Sequence, residues 1–318
     1  MKNRILILVA VVLISFQGNS QSNTQAYLGI KEGGEWLWVT KSNGTQQYEY
    51  QGGAFKSVNN VKVDEKHTDH SFDIQFEGPG WESDKIGYRI YLDWRNAIDI
   101  FGKKTEAMVL QNVGLDGFDS YHEMQDWGVD VLKVGSALGI GTLAFWNGEQ
   151  AVRVEKTDNL FSSVENGEKA SKVTIDYSGW EINNTKTNLH TTLEIEGGSY
   201  LTKYSIELSE DLPNLATGII NLPETETAVI TDIKPGWSCF ITFGKQSLEN
   251  DKLGMCIFYK TNQLISQTKD KYSHVLVLNP ENKKLVYYFG AAWEQDASGV
   301  KSIEDFKTLL KSQTKFLK

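Results

Sequence analysis

The sequence predicts an all-β protein, a large two-sheet β-sandwich with a helix at its C-terminal end. Three observations favour this fold: apolar and polar residues alternate along most of the chain, turn residues recur at short intervals, and helical periodicity is confined to the last stretch. The 318 residues include 40% hydrophobic and 23% charged side chains, as in globular proteins. The 28 glycines, 5 prolines and 9 tryptophans are typical of short strands joined by tight turns.

The N-terminal segment has the layout of a cleaved secretory signal. Lys2 and Arg4 precede an apolar run over residues 5–16, and small side chains end at Ser20. The run is too short to span a bilayer comfortably, and no cysteine follows it to carry a lipid anchor. A buried N-terminal helix is the alternative. We expect residues 1–20 to be removed during export to the periplasm.

Residues 21–318 are expected to form a single β-sandwich domain without a membrane span, because no later apolar run approaches the ~20 residues that a spanning helix needs. Apolar side chains alternate with polar ones over residues 86–94, 172–177 and 200–208. This period of two places apolar side chains on one face of a strand. Each of the three segments is therefore predicted to be a strand with one buried face.

The two cysteines, Cys239 and Cys256, lie in apolar segments over residues 237–243 and 253–259. If these segments pair as a hairpin, the sulfur atoms lie on neighbouring strands. A disulfide is permitted in an oxidising compartment, and two buried free thiols are the alternative. Neither cysteine has an activating neighbour in the sequence, so neither is assigned a catalytic role.

The C-terminal part combines a predicted hairpin with the predicted helix. Residues 275–278 and 285–289 flank a turn-rich segment and are expected to pair with each other. Ser302 and Asp305 then resemble a capping box, because a serine and an acidic residue three positions later satisfy the first N–H groups of a helix. Apolar residues follow at helical spacing up to Phe316. We expect this helix to lie across a sheet.

The charge balance limits the classes of partner. Forty-one acidic residues against 32 basic ones give a net charge of -9 and a pI near 5.2. Such a chain has no general attraction for phosphate backbones, which argues against nucleic acid. An anionic ligand would need a local cationic pocket built against the overall field.

Residues 85–95 combine cationic and aromatic side chains in a predicted strand. The alternation places Arg89, Tyr91 and Arg95 on the same face. A solvated outer face is the ordinary interpretation of such a strand. The mixture of cations and aromatic rings also suits a concave sugar-binding site.

Residues 114–141 are dense in glycine and threaded by aspartates. Glycine at this density lets the backbone fold tightly around a ligand, but the spacing is not that of a dinucleotide-binding fingerprint. The aspartates are a possible cation site. Turn-rich loops collect aspartate for conformational reasons, which is the alternative.

Tyr121 and His122 are the predicted catalytic residues. A histidine transfers protons near neutral pH, and a tyrosine beside it acts as acid or base if cations lower its pKa. A histidine bonded to a carbonyl is the alternative interpretation. His274 is the second candidate, at the start of a strand that precedes the aromatic run ending at Trp293. No serine or cysteine nucleophile signature is present.

The stretch YRIYLDWRNAIDIFGKK…GLDGFDSYHEMQDWGVDVLKVGSALGIG resembles a family catalogued as a domain of unknown function, whose members are secreted proteins of polysaccharide-utilisation loci in Bacteroidetes. The resemblance covers most of the mature chain. The family includes an ulvan-oligosaccharide dehydratase. The resemblance therefore implies a galactose-mutarotase-like β-sandwich. It also implies an enzyme that removes water from a non-reducing-end glucuronic or iduronic acid and leaves a 4,5-unsaturated uronate.

The residues can be assigned to that chemistry. The substrate carboxylate must be neutralised before the C5 proton can leave, and Arg89 and Arg95 are expected to bind it in paired hydrogen bonds. His122 and Tyr121 then supply one acid and one base, in an order that the sequence leaves open. Lys133 is expected to assist at the carboxylate or at a sulfate.

A sugar ring needs an aromatic platform, for which Trp94, Trp127 and Trp293 are candidates and His274 a neighbour. The scheme requires no cofactor, although a cation in place of arginine is an alternative. The expected partner is an acidic oligosaccharide. The competing functions are a β-eliminating polysaccharide lyase, a non-catalytic periplasmic sugar-binding protein and, less favoured, an epimerase or mutarotase.

Overall fold

The computed structural model describes residues 22–117, 120–183 and 185–318. The predicted leader over residues 1–20 lies outside the described residues. Strands make up most of the described chain. They are β1 (Thr24–Tyr27), β2 (Gly29–Thr40), β3 (Gln46–Ser57), β4 (Asn60–Lys62), β5 (Gly80–Ser83), β6 (Ile86–Ile90), β7 (Ile98–Lys103), β8 (Gly128–Asp130), β9 (Ala144–Trp146), β10 (Ala151–Arg153), β11 (Asn159–Asn166), β12 (Ala170–Ile182), β13 (Thr185–Glu196), β14 (Leu201–Leu208), β15 (Leu215–Ile220), β16 (Thr225–Lys234), β17 (Trp237–Lys245), β18 (Lys252–Lys260), β19 (Leu264–Lys269), β20 (Ser273–Leu278) and β21 (Lys284–Trp293).

The strands form a sandwich of two layers. One layer is a nine-stranded sheet in the order β16-β17-β18-β21-β14-β13-β12-β11-β4. The other contains two five-stranded sheets, β1-β5-β6-β7-β8 and β10-β9-β15-β20-β19. Isolated bridges from Ile98 to Gly139 and from Ile140 to Ile219 connect these two sheets. The predicted all-β sandwich is confirmed.

Buried aromatic residues tie the two layers together. The Trp81 indole nitrogen donates to Thr202 Oγ1 at 2.8 Å, and the Tyr88 hydroxyl donates to the carbonyl of Tyr200 at 2.8 Å. The Phe289 ring packs edge-on against Tyr88 with 5.4 Å between ring centres. The layer that carries β5 and β6 is thereby fixed on the nine-stranded sheet.

The C-terminal helix α1 (Ile303–Gln313) has the predicted start and lies on the nine-stranded sheet. The Ser302 side chain accepts a hydrogen bond from the backbone N–H of Asp305. Phe306 packs so closely on β18 that a Cβ at Gly254 would lie 2.8 Å from its ring. In the part of the chain that the structure describes, no helix is long and apolar enough to cross a membrane.

Residues 237–243 and 253–259 do pair, in the antiparallel strands β17 and β18. Cys239 and Cys256 are buried free thiols on these two strands, which agrees with the second of the two alternatives.

The predicted hairpin of residues 275–278 and 285–289 is wrong. β20 belongs to a five-stranded sheet and β21 to the nine-stranded sheet, so the turn between them carries the chain from one layer to the other. Asn282 and Lys283 have left-handed φ values of 52° and 62° in this crossing. Both strands are apolar runs buried on two faces, and such runs do not specify which neighbour they pair with.

The antiparallel pair of β2 and β3 forms a separate two-stranded sheet with an aromatic face. Trp36 packs edge-on against Tyr50 with 5.4 Å between ring centres, and Trp38 packs against Tyr48 with 4.7 Å. Trp38 is 58% exposed. This hairpin borders the segment that carries the candidate site.

Candidate active site

A strained segment runs over residues 69–77, between β4 and β5. His70, Phe72, Phe76 and Glu77 have left-handed backbone conformations, with φ of 61°, 62°, 39° and 67°. Such a conformation costs about 1–3 kcal/mol at a non-glycine residue and persists only where the surroundings hold it. Strain of this kind concentrates at functional sites, so it marks this segment as a candidate.

Arg89 lies at the centre of a buried ionic network beside this segment. Its side chain comes from β6 and is 2% exposed. Its Nη2 donates to Asp99 Oδ2 at 2.9 Å and to Asp130 Oδ2 at 2.7 Å. Nη2 also donates to the Tyr91 hydroxyl at 2.9 Å, and Nη1 donates to the Tyr121 hydroxyl at 2.8 Å. These residues meet because β6, β7 and β8 are adjacent strands of one sheet.

Arg95 extends the network to the surface. Its guanidinium lies over the Tyr91 ring, 4.0 Å from the ring centre. Nη2 lies 2.5 Å from Asp93 Oδ2 and 2.8 Å from Glu77 Oε1, and Nη1 lies 2.8 Å from Asp69 Oδ1. The Arg95 side chain is 13% exposed. Three carboxylates thus surround the second guanidinium.

The two arginines do not line the cationic hollow that the sequence led us to expect. Both guanidinium groups are bonded to carboxylates, so a substrate carboxylate would have to displace a protein carboxylate to reach Arg89 or Arg95. Arg95 also does not lie on the strand with Arg89. β6 ends at Ile90, and the chain reverses in a turn where Asn96 has a φ of 35°.

Two half-exposed histidines stand at the two ends of this network. His122 Nε2 lies 3.5 Å from Asp130 Oδ2. His70 Nδ1 lies 2.5 Å from Asp69 Oδ1 and 3.8 Å from Glu77 Oε1. The side chains of His122 and His70 are 44% and 49% exposed. Each imidazole is held by a carboxylate and also accessible, an arrangement suited to general acid–base chemistry.

Phe72 brings the two histidine-bearing segments together. Its ring centre lies 6.3 Å from that of His70. A Cβ at Gly117 would lie 3.9 Å from the same phenyl ring, and Gly117 belongs to the loop that leads to His122. The two histidines therefore come from segments that lie close to each other at Phe72.

Burial changes the proton affinity of the buried carboxyls. It raises the pKa of Glu77, although Arg95 and Arg89 act in the opposite direction. It raises the pKa of Asp130 well above its ordinary value, and the neighbouring Asp99 adds to the effect while Arg89 opposes it. These two carboxyls therefore retain protons at a higher pH than an ordinary carboxyl does.

Asp69 and His70 form the more exposed pair of this network, and the hydrogen bond between them determines their pKa shifts. Burial acts to raise the pKa of Asp69, but the hydrogen bond to His70 and the charge of Arg95 lower it to about 2. The bond to Asp69 raises the pKa of His70, and partial burial only partly opposes this. His70 therefore retains its proton to a higher pH than an isolated histidine does.

Tyr121 is enclosed, at 1% exposure, and its ring centre lies 4.5 Å from that of His122. Burial raises the pKa of Tyr121, and the nearby charge of Arg89 does not reverse this. The expected lowering by cations is therefore not found. A neutral phenol can donate a proton or position His122, but it does not serve as a base near neutral pH.

The other predicted site residues lie apart from the Arg89 network. Lys133 is exposed, three residues beyond the end of β8. His274 is on β20, with its ring 5.5 Å from that of Phe240, and burial lowers its pKa. Trp293 is 0% exposed, and its indole nitrogen donates to Asp251. A ring enclosed in this way cannot stack on a sugar.

Six residues of the network were not assigned to the site from the sequence: Asp69, His70, Glu77, Asp93, Asp99 and Asp130. Asp99 and Asp130 are single acidic residues within apolar strands, in IDIF and VDVL, and a lone buried acid signals a paired charge. His70 was visible only as the end of HTDH. Glu77 has no comparable signal, because its role depends on a left-handed backbone.

Asp69, His70 and Glu77 also place ligand-type atoms within 4.8 Å of one another. Such a group resembles a partial site for a divalent cation. Arg95 already bonds both carboxylates, so an ion would have to displace its guanidinium. The arrangement fits an acid–base network better than a metal centre.

Comparisons with known proteins place the chain in a family. Residues 10–318 match the family model described as Domain of unknown function (DUF4861). A similar protein is Uncharacterized protein P7 of Formosa agariphila, 22% identical over 259 residues. That match covers 72% of this chain and 64% of the relative, so the chain spans less than two thirds of the relative's length.

A similar solved structure is the 4-alpha-glucanotransferase from Thermococcus litoralis. The identity is 14%, the TM-score is 0.32, and the match covers 73% of this chain and 40% of that chain. The family match extends over nearly the whole chain, and the chain therefore belongs to the DUF4861 domain family.

Proposed function

We propose that the protein is a hydro-lyase that removes water across C4–C5 of a glucuronic or iduronic acid at the non-reducing end of ulvan-type oligosaccharides. One observation carries the proposal: two half-exposed histidines, each held by a carboxylate, border one strained segment and one ionic network. Elimination of water needs one group that takes a proton and another that gives one. This site offers both.

His122 is assigned the role of base. Its Nε2 lies against Asp130, and its other face packs on Tyr121. Asp130, 3.5 Å from Nε2, positions the imidazole that takes the proton from C5. Tyr121, held by Arg89 at 2.8 Å, positions the His122 ring.

His70 is assigned the role of acid. Its hydrogen bond to Asp69 raises the pKa of His70, which favours the protonated imidazole that an acid requires. The C5–H and C4–O bonds break, the C4–C5 double bond forms, and the departing hydroxyl leaves as water with the proton from His70. His122 and His70 then exchange protons with solvent to restore the starting state.

The substrate carboxylate needs a cation that the protein's own carboxylates do not already hold. Lys31 is the candidate beside His70: its ammonium lies 5.8 Å from the centre of the Phe72 ring and 5.2 Å from that of Phe55. Glu77 pairs with Arg95 at 2.8 Å, which reduces the repulsion that an anionic sugar meets there. Lys31 therefore replaces the two arginines as the expected carboxylate ligand.

The test follows the ultraviolet absorbance of the conjugated uronate when the mature protein is mixed with saturated, uronate-ended oligosaccharides. His122→Ala and His70→Ala are each expected to lower kcat by about 10²-fold or more. The matched control is His190→Ala, because His190 is 55% exposed and lies 2.6 Å from Asp176 on the nine-stranded sheet. The assignment fails if all three variants keep wild-type turnover.

Product mass separates the candidate functions. A dehydratase product is lighter than its substrate by one water and keeps its chain length. A β-eliminating lyase instead gives two shorter sugars. A non-catalytic sugar-binding protein gives an unchanged ligand that still binds. Export to the periplasm is part of the proposal, and N-terminal sequencing of the secreted protein tests removal of residues 1–20.

A further inference from the structure

A groove adjoins the candidate active site and has not been assigned a role above. Its cavity volume is about 920 Å³, at the upper end of the range for small-molecule sites. One wall is formed by residues 62–68, the other by residues 154–160, and Leu92–Trp94 lie between them. Asp93 belongs to the groove and also holds Arg95, so the groove and the ionic network share a wall.

Aromatic rings beside cations line this groove. Lys66 lies 5.4 Å from the centre of the Tyr48 ring and 5.7 Å from that of Trp36. On the other side of the groove, the Trp94 ring is 50% exposed. Exposed rings offer flat faces to the C–H groups of a pyranose, and the neighbouring cations attract carboxylate or sulfate groups.

Three acidic residues of the groove, Asp64, Asp93 and Asp158, are bonded within the protein. Asp158 pairs with Lys186 at 2.5 Å, and Asp64 accepts the backbone N–H of Lys66 at 2.9 Å. Lys66 has no carboxylate within 4 Å among residues 22–117, 120–183 and 185–318. An anionic ligand therefore meets an available ammonium there.

His67 gives an independent indication of a ligand. It lines the groove, and its Nδ1 is bonded to Asp73 at 2.8 Å. Its Nε2 is buried and has no hydrogen-bond partner within the described part of the chain. Buried polar atoms are almost always paired, so an acceptor from outside the chain is expected. A sugar hydroxyl or a sulfate oxygen supplies one.

We propose that this groove binds the sugar residues that follow the reacting uronate, and that its ligand is an oligosaccharide chain bearing carboxylate or sulfate groups. The proposal rests on the proposed function for the orientation of the bound oligosaccharide, since that function places the reacting uronate at the ionic network. The Tyr48 and Trp94 rings provide stacking, and Lys66 provides the preference for anionic sugars.

The binding test uses the full mature chain with His122→Ala, so that the ligand is not consumed. Isothermal titration calorimetry compares hexasaccharides from ulvan and heparin with the neutral cellohexaose. Trp94→Ala and Lys66→Met are each expected to weaken binding of the anionic hexasaccharides by about tenfold, and added salt is expected to weaken it further. Circular dichroism verifies that each variant is folded.

The matched controls lie away from this groove. Phe316→Ala removes a partly exposed ring that lies just beyond the C-terminal helix. Lys315→Met removes an ammonium that lies 4.9 Å from the Phe316 ring. Both controls are expected to bind the anionic hexasaccharides like the parent protein.

Equal binding by the groove variants and the controls overturns the groove proposal, as does equal affinity for cellohexaose. If wild-type protein releases no water from any uronate while Trp94→Ala and Lys66→Met still lose the anionic glycan, the proposed function fails and the groove stands. If turnover is present and its KM for the hexasaccharide is unaffected by Trp94→Ala, the groove fails and the function stands.

Discussion

Replacing Arg89 with methionine is the sharpest test of the ionic network. Methionine keeps much of the apolar length of the side chain and removes its charge. The variant leaves the carboxylates of Asp99 and Asp130, each 1% exposed, without the guanidinium that lies 2.9 and 2.7 Å away. Removing one partner of a buried ion pair costs about 3–5 kcal/mol.

The free-energy loss converts to a melting temperature. An unfolding entropy of about 2.1 cal/mol/K per residue gives roughly 0.6 kcal/mol/K for residues 22–318. Arg89→Met is therefore expected to lower Tm by about 5–8 °C in differential scanning calorimetry. Asp130→Asn in the same chain is expected to restore part of this loss, because it removes one of the two stranded carboxylates.

An exposed ion pair provides the comparison. Lys186→Met breaks the contact with Asp158, where both side chains are 53% exposed, and is expected to change Tm by less than about 1 °C. The reasoning is refuted if Arg89→Met shifts Tm by no more than the Lys186 control does. That result would mean that the buried carboxyls are stable without a cation.

Two further predictions concern the stability of single elements. Ser302→Ala removes the side chain that accepts the N–H of Asp305, and is expected to cost about 1 kcal/mol, or roughly 1–2 °C in Tm by the same calorimetry. The second concerns His67 and Asp73. Burial acts to lower the pKa of His67, but the hydrogen bond to Asp73 outweighs burial and the pKa is raised. Burial acts to raise the pKa of Asp73, but the same hydrogen bond outweighs it and the pKa is lowered. The folding stability that protonated His67 contributes is therefore complete below its ordinary pKa of 6.5 and is lost as the pH rises through the raised pKa. The folding stability that ionised Asp73 contributes is present above its ordinary pKa of 3.8 and is lost as the pH falls through the lowered pKa. Tm measured from pH 5 to 9 is expected to show a gap between wild type and His67→Gln that narrows toward alkaline pH, and a constant gap contradicts it.

Local patterns were sufficient for much of the fold. β12 alternates between buried and more exposed residues along its length, as the period of two in its sequence requires. The helix start at Ser302 was also predictable from the sequence, because capping depends on residues three positions apart. β20 and β21 were paired wrongly because residues close in sequence and buried on both faces can belong to different layers.

The site was only partly accessible to sequence reasoning. Arg89, Tyr121 and His122 were singled out, and the fold does bring them together around Asp130. The local sequence does not reveal that Arg89 pairs with buried acids, because Asp99 and Asp130 come from neighbouring strands. The position of Trp293 in the core was likewise decided by long-range packing.

The alternation argument also misplaced Arg95. The apolar and polar pattern continues past Ile90, but the strand ends there and the chain turns at Asn96. His70 was not predicted as a site residue, because its approach to the loop before His122 is a long-range contact, although its pairing with Asp69 is local. Contacts of this length are set by the assembled sheets.

Proton NMR of the reaction tests the central claim most directly. A saturated, uronate-ended tetrasaccharide is incubated with the mature protein and with its His122→Ala variant. With the wild type, we expect the H5 signal of the terminal uronate to disappear and a vinylic H4 signal to replace it, while every glycosidic linkage signal remains. With His122→Ala the spectrum should change about 10²-fold more slowly. Unchanged H5 with the wild type, or the same rate with both proteins, would contradict the account.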